Sequence, residues 1–286
     1  MASARDFQRQ INTVKNQARV FSALQTVSSV KFRKAEARVR RARPYAENVE
    51  QMMRDVAANA TGDLPLLTGR EVRRVAVCTL TADRGLAGGF NAQVLRRTVR
   101  LREEKDPGAL QVASGRKAVA FFRFRRVELA EVFTGFTDNP TYEKAREIGR
   151  TLTRLFDDEE ADEVYLVYNR FESVLNQRPV VKRLLPVARE EDDEEEGNTS
   201  YMDYVPDAET VLKRLVPRYV ETMVWQALLE GAAGEHGARM TAMKNATDNA
   251  NDLVSDLTLQ MNKARQAQIT QEILEIVGGA EALSAG

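Results

Sequence analysis

The stretch that decides the fold is MTAMKNATDNANDLVSDLTLQMNKARQAQ, residues 240–268, in which apolar or small side chains recur at alternating intervals of three and four residues. A mean spacing of 3.5 residues keeps one face of a helix turned toward a partner helix and is typical of a left-handed coiled coil. The stretch therefore predicts a helix that packs against another helix along one seam. The residues of this C-terminal seam are Met240, Met243, Thr247, Ala250, Val254, Leu257, Met261, Ala264 and Gln268.

A second seam with the same spacing lies near the N-terminus, from Ile11 to Val56. At about 1.5 Å per residue, its helix would be about 70 Å long. Two seams in one chain most simply pair with each other, so we expect the N- and C-terminal helices to form a long antiparallel coiled coil. We also expect Pro44 to bend the first helix, because proline removes a backbone hydrogen bond. The N-terminal seam comprises Ile11, Val14, Ala18, Phe21, Gln25, Ser28, Phe32, Ala35, Val39, Ala42, Ala46, Val49, Met53 and Val56.

Between the two seams the pattern changes to short β-branched runs that alternate with helical stretches. This alternation is typical of βαβ units and predicts a Rossmann-like α/β domain with a parallel sheet. We therefore expect a coiled-coil helix over 1–60, an inserted α/β domain over 71–206 and a second coiled-coil helix over 207–286. The glycines in GAAGEHGAR should be weak points in that last helix. Strands are predicted at 72–80, 110–114, 128–133, 163–171 and 179–187, and helices at 92–104, from 116 onward and at 141–156.

The composition excludes several classes of protein. The formal net charge is zero, and Cys78 and His236 are the only residues of their types. A disulfide framework and a Cys/His zinc site are therefore excluded, and we expect no metal and no cofactor. The N-terminus has no apolar signal core, and no stretch approaches the roughly 18 apolar residues that a membrane span needs. We expect a soluble intracellular chain, or one that other subunits hold at a membrane.

Charge is nevertheless segregated along the chain. Residues 1–43 contain eleven Lys or Arg against Asp6 and Glu36, whereas residues 190–196 are seven consecutive acids. The acidic run has no apolar periodicity and predicts a solvated loop. The basic stretch could bind nucleic acid, in which case affinity would fall steeply with salt. Apolar residues interleave with it at heptad spacing, which favours charges on the outer face of a coiled coil or a track that faces an acidic protein partner.

The loop TADRGLAGGFN, residues 81–91, follows a predicted strand and precedes a helix, where α/β proteins often bind phosphates. Its glycines match neither G-x-G-x-x-G nor G-x-x-x-x-G-K-[ST]. A nucleotide-binding enzyme stays an alternative, and a nucleotide-dependent rise in melting temperature would identify it. The favoured interpretation is a tight strand-to-helix turn. The chain also lacks a nucleophile paired with a base, so we expect no enzyme active site.

Several motifs together resemble one family. They are INTVKN at 11–16, RPY at 43–45, DRGLAGGFN at 83–91 and, above all, EHGARMTAMKNATDNANDLVSDLTLQMNKARQAQITQEILEIVGGAEAL at 235–283. Over its whole length and in the same order, the chain resembles the gamma subunit of F-type ATP synthase. Ala87 stands where that family commonly has Cys, and residues 17–24 read QARVFSAL where it usually reads TQKITKAM. The turn motif comprises Asp83, Arg84, Gly85, Gly88 and Gly89.

The resemblance implies a central-stalk rotor that is not itself an enzyme. Such a subunit couples proton-driven rotation of the membrane c-ring to conformational change and ATP synthesis or hydrolysis in the alpha/beta hexamer. The implied partners are the alpha and beta subunits, the epsilon subunit and the c-ring, with no nucleic acid and no direct insertion into the bilayer. The implied location is the cytoplasmic face of the cell membrane, as a peripheral protein.

The resemblance also implies particular contact residues. The motifs KARQA and ITQE place hexamer contacts at Arg265, Gln266, Thr270 and Glu272, and the expected set also includes Leu24, Lys31 and Arg239. A foot that faces the ring is expected at Tyr204, Val205 and Asp207, although some relatives carry an acid at the position of Val205.

Overall fold

The computed structural model describes residues 3–59, 67, 69–187 and 208–284. Its described helices are α1 (Ala4–Asn59), α2 (Phe90–Lys105), α3 (Arg116–Phe124), α4 (Tyr142–Asp157) and α5 (Ala208–Ser284). Its strands are β1 (Val75–Leu80), β2 (Leu110–Ser114), β3 (Leu129–Phe133), β4 (Glu163–Phe171) and β5 (Gln177–Leu185). The chain divides into two compact units. The coil unit combines residues up to 27 with those from 240, and the α/β unit spans 28–239.

The coil unit contains the first half of α1 and the last part of α5. Its most buried apolar residues lie seven apart, Ile11 and Ala18 on α1 and Met243, Ala250 and Leu257 on α5. This is the interval that a coiled-coil seam requires. The two helices line a common surface groove. Because α1 leads out of this unit and α5 leads back into it, the helices are antiparallel, and the expected coiled coil is confirmed.

Both long helices continue through their prolines. Pro44 lies inside α1 and Pro217 lies inside α5. The glycines of α5 also stay helical, and Gly234 permits close packing. A Cβ on Gly234 would lie 2.9 Å from the Phe90 ring, whereas one on Gly237 would make ordinary contact with Phe32 at 3.5 Å. The helix was expected to continue across these weak points, and contacts within the α/β unit offset the low helix propensity of glycine there.

The α/β unit contains a five-stranded sheet in the order β3-β2-β1-β4-β5. The first four strands are parallel, as predicted. β5 runs antiparallel to β4, from Phe171 paired with Gln177 to Val164 paired with Leu185. The prediction of a wholly parallel sheet was therefore wrong at this edge. Only residues 172–176 join the two strands, and a connection that short permits a hairpin but not a crossover.

Helices cover both faces of the sheet and enclose its core. On one face, Val94 and Leu101 of α2 pack against Val77 and Val167. On the other face, α4 packs with residues 46–57 of α1 and 216–228 of α5 around Cys78 and Leu166. Parts of both terminal helices thus belong to the same core as the sheet. The compact unit at 28–239 is therefore larger than the insertion expected at 71–206.

Candidate functional site

The loop between β1 and α2 is organised around the carboxylate of Asp83. Its Oδ1 accepts a hydrogen bond from Arg116 N at 3.0 Å, and its Oδ2 accepts from Gly135 N at 2.8 Å and Thr137 N at 3.1 Å. Burial raises the pKa of Asp83, but the hydrogen bonds from Gly135, Thr137 and Arg116 outweigh burial, so the net pKa lies below its ordinary value. Asp83 thus joins three loops at the carboxyl edge of the sheet.

Of the motif glycines, Gly88 needs the conformational freedom of glycine, whereas a Cβ on Gly85 or Gly89 would make only ordinary side-chain contacts. Gly88 has a φ of +54°, which is favourable for glycine. The next turn along this edge is tighter still, because Gly115 has a φ of +93° and a Cβ there would lie 2.1 Å from the carbonyl oxygen of Thr81. Asn91 Oδ1 accepts from Ala82 N at 2.8 Å. These contacts match a tight strand-to-helix turn.

A cluster of charged groups, the His236 cluster, connects this edge to both long helices. It consists of Lys31 on α1, Asp138 in the loop before α4, and Glu235, His236 and Arg239 on α5. Lys31 Nζ lies 2.5 Å from Asp138 Oδ2, and His236 Nε2 lies 3.2 Å from the Asp138 carbonyl oxygen.

Arg239 completes the cluster from its position four residues after Glu235. Arg239 donates to the Gly85 carbonyl oxygen from Nε at 3.2 Å and from a terminal nitrogen at 3.1 Å. The same guanidinium pairs with Glu235 at 2.5 Å. Glu235, His236 and Arg239 are all buried. This cluster was not predicted from the sequence, although four ionisable residues within 230–239, on a helix that is predicted to be packed, could have indicated it.

Part of the basic stretch of α1 binds groups inside the α/β unit. Arg38 donates to Asn139 Oδ1 and to the Pro140 carbonyl oxygen, both at 2.6 Å, and its guanidinium lies 5.5 Å from the ring centre of Trp225. Arg43 donates to the Phe171 carbonyl oxygen at 3.0 Å. With Lys31 also paired, three of the seven basic residues at 31–43 bind groups of the α/β unit outside α1. The nucleic-acid hypothesis receives no support.

The expected hexamer-contact residues fall into two settings. Arg265, Gln266, Thr270 and Glu272 are all exposed near the C-terminal end of α5. Arg239 is 8% exposed and Lys31 is paired with Asp138, so both are engaged within the chain. Leu24 is partly buried. The structure therefore brings together only the four residues on the last part of α5.

The expected foot at Tyr204, Val205 and Asp207 lies outside the described residues, as does the acidic run at 190–196. Within the described ranges, no group of three or more His, Cys, Asp or Glu side chains could hold a metal ion. No described helix is both long enough and apolar enough to span a bilayer.

The exposed end of α5 is unusually apolar. Ile269, Ile273, Leu274, Ile276 and Val277 are 46–71% exposed, next to the exposed polar residues of KARQA and ITQE. Contiguous exposed apolar residues usually mark an interaction site. An exposed end of this kind is typical of a structural subunit of a larger assembly.

Comparisons with known proteins identify that assembly. The family model described as ATP synthase matches residues 3–283. The ATP synthase gamma chain of Rubrobacter xylanophilus is 70% identical over the full length of both chains. That of Moorella thermoacetica is 48% identical over 99% of this chain and all of the relative. The chain therefore belongs to the ATP synthase gamma chain family. Gamma chains are non-catalytic rotor subunits.

Solved structures share the fold. The rotor of the Euglena gracilis mitochondrial ATP synthase has a TM-score of 0.69 at 17% identity and covers 93% of this chain and 98% of its own. A second structure, of the OSCP/F1/c-ring part of that enzyme, has a TM-score of 0.67 at 18% identity and covers 99% and 95%. These likenesses confirm the architecture of terminal helices around an α/β domain.

Proposed function

We propose that the exposed end of α5 is the part of this rotor that contacts the alpha/beta hexamer. One observation carries the proposal: residues 265–278 combine exposed apolar side chains with exposed Arg265, Gln266, Thr270 and Glu272. Exposure of large apolar groups to water is unfavourable, and burial against a partner removes this cost in free energy. The hexamer is that partner in the proposal, and the rotor turns against it.

The spacing of the polar residues fits a contact that forms and breaks during rotation. Arg265 and Glu272 are seven residues apart and so lie on one face of α5, two turns from each other. Gln268 donates to Glu272 at 3.0 Å, which holds that carboxylate along the helix surface. A hydrogen bond to a charged group contributes about 1.5–3 kcal/mol. Rotation would make and break such bonds with successive beta subunits.

We further propose that the chain binds the epsilon subunit and the c-ring. Through these contacts it couples proton-driven rotation of the ring to ATP synthesis. The proposed foot comprises Tyr204, Val205 and Asp207, which the resemblance alone supports. Binding through the ring would hold the chain as a peripheral protein at the cytoplasmic face of the cell membrane.

The test is Arg265→Ala in a complex reconstituted with alpha and beta subunits. Loss of a charged hydrogen bond in the rotation step should lower ATP hydrolysis about tenfold. Circular dichroism of the isolated chain should not change, because Arg265 is exposed. Arg96→Ala is the matched control, since Arg96 is an exposed arginine on α2. Equal turnover of the two variants at equal assembly would exclude Arg265 as a contact.

A further inference from the structure

His236 lies where α5 meets the edge of the sheet, and only 2% of its surface is exposed. Its Nε2 is 3.2 Å from the Asp138 carbonyl oxygen and 3.6 Å from Asp138 Oδ1. Its Nδ1 is 3.5 Å from a terminal guanidinium nitrogen of Arg239. Both ring nitrogens thus face a defined partner.

These partners select one form of the ring. The carbonyl oxygen of Asp138 can only accept, so Nε2 must carry the hydrogen. The Arg239 guanidinium can only donate, so Nδ1 must present its lone pair. Neutral His236 with its proton on Nε2 satisfies both contacts. A second proton would have to be placed on Nδ1, where its N–H would point at the N–H groups of Arg239.

The charges around the ring come from several elements. Asp138 in the loop before α4 is paired with Lys31 of α1, and Arg239 is paired with Glu235 on α5 itself. Asp83 and Arg84, in the loop after β1, also influence the carboxylates of this cluster. The six ionised groups comprise three acids and three bases, so a neutral His236 leaves them balanced. A protonated His236 adds a positive charge that no further acid offsets.

We propose that His236 is an acid-sensitive joint that holds α5 to the loops after β1 and β3. While the ring is neutral, it accepts from Arg239 and donates to the Asp138 carbonyl, and Arg239 in turn binds the Gly85 carbonyl. Protonation turns the Nδ1 contact into a repulsion between two cations. The hold of Arg239 on Gly85 and of α5 on both loops is thereby weakened. This inference goes beyond the hexamer contacts and does not depend on them.

The pKa of His236 supports the same direction. Burial is the largest cause and lowers the pKa below 6.5, and the charges of Arg239 and Lys31 lower it further against the opposing effect of Asp138. Between the lowered pKa and 6.5, the unfolded chain binds a proton that the folded chain does not. The stabilisation is therefore complete above about pH 6.5 and is lost as the pH falls below it.

NMR of the full chain tests the joint directly. Because His236 is the only histidine, a sample labelled with ¹⁵N-histidine gives signals from one imidazole ring. The joint predicts a single neutral form with its proton on Nε2 at pH 7.5 and a titration midpoint below 6.5. A mixture of both neutral forms, or a midpoint at or above 6.5, would overturn the proposal.

Two variants test the electrostatic part, read by the same titration. Asp138→Asn removes a charge that favours the protonated ring, so the midpoint should fall further. Lys31→Gln removes a charge that disfavours it, so the midpoint should rise. Midpoints that stay unchanged in both variants would show that these charges do not act on His236.

A stability measurement shows whether protonation loosens the fold. The amide of Gln in His236→Gln can donate to Asp138 and accept from Arg239, yet it does not titrate. Between pH 8 and pH 5.5, the melting temperature of the parent chain should fall by at least about 2 °C more than that of the variant. Parallel pH profiles of the two chains would refute the acid-sensitive joint.

Discussion

The two ends of α5 carry similar kinds of residues in opposite settings. Between Val216 and Arg239 most residues of the helix are buried, and its charged residues Glu221, Glu230 and Glu235 are less than 9% exposed. Beyond Ala264, large apolar residues such as Leu274 and Ile276 are 65% and 71% exposed. One helix thus contains buried charges and exposed apolar side chains.

This difference in exposure indicates where each part of α5 has its partners. The buried charges have partners within the chain, such as Glu230, whose Oε2 accepts from Phe171 N at 3.1 Å. Burying a charge without such a partner costs several kcal/mol, so the sequence must supply each of them. The exposed apolar groups have no such cover in the free chain, and in our proposal another subunit supplies it. On this proposal the first part of α5 maintains the fold, and the last part serves the assembly.

The largest effect is expected at Gly115, which lies in the tightest turn at the carboxyl edge of the sheet. Gly115→Ala would place a Cβ 2.1 Å from the Thr81 carbonyl oxygen, and the backbone would have to move. We expect the free energy of unfolding to fall by about 4 kcal/mol or more, as urea denaturation would measure. Gly135→Ala is the control. Gly135 has a similar φ of +89° but no atom within 4 Å of the added Cβ, so only about 1–2 kcal/mol of backbone strain is expected. Equal losses would contradict this packing.

A matched pair on α5 tests the comparison itself. Leu229→Ala removes a side chain that is 2% exposed and packs with Phe32 and Phe171, so it should cost about 2–5 kcal/mol of stability. Ile276→Ala should change the stability of the free chain by less than about 0.5 kcal/mol, because this side chain is 71% exposed. Thermal unfolding of both variants decides the point. A comparable loss for Ile276→Ala would mean that the free chain already buries its C-terminal end.

A smaller effect than at Gly115 or Leu229 is expected at Asp83. Asp83→Asn should lower stability at pH 7 by about 1–2 kcal/mol, because an amide oxygen cannot replace both acceptor oxygens. The pKa of Asp83 is lowered in the folded chain, so its stabilisation is present above the ordinary value of 3.8 and is lost as the pH falls below that value. The gap between parent and variant should therefore narrow in urea titrations from pH 7 to pH 3. A gap that stays constant would show that the Asp83 charge does not contribute.

Much of the fold could be predicted from the sequence because it depends on periodicity. Seam residues of α1 from Ile11 to Val56 are all buried or partly buried, and those of α5 are so as far as Ala264. The β-branched runs likewise became strands close to their predicted bounds. The direction of β5 depends on the length of the connection between β4 and β5, and only residues 172–176 join these strands, which is too short for a crossover.

The candidate sites were harder to predict, because burial cannot be read from a motif alone. Arg239 and Arg265 both lie on α5 within the run that resembles the family, yet Arg239 is 8% exposed and Arg265 is exposed. What separates them is the loop at Gly85, more than 150 residues away along the chain, whose carbonyl oxygen Arg239 binds. The role of His236 likewise depends on Asp138 and Lys31, which are distant in the sequence and lie near it only in the folded chain.

The central claim is that the exposed end of α5 is covered by the hexamer, and thiol labelling of Ile276→Cys tests it most directly. Cys78 is fully buried and burial raises the pKa of its thiol to about 12, so the new cysteine would be the reactive thiol. Arg96→Cys, on an exposed face of α2, is the control. Both should react readily in the free chain. After assembly with alpha and beta subunits, the account predicts that labelling of Ile276→Cys slows at least about tenfold relative to Arg96→Cys, since covered thiols react only when exposed. An unchanged rate for Ile276→Cys in the assembled complex would contradict the account.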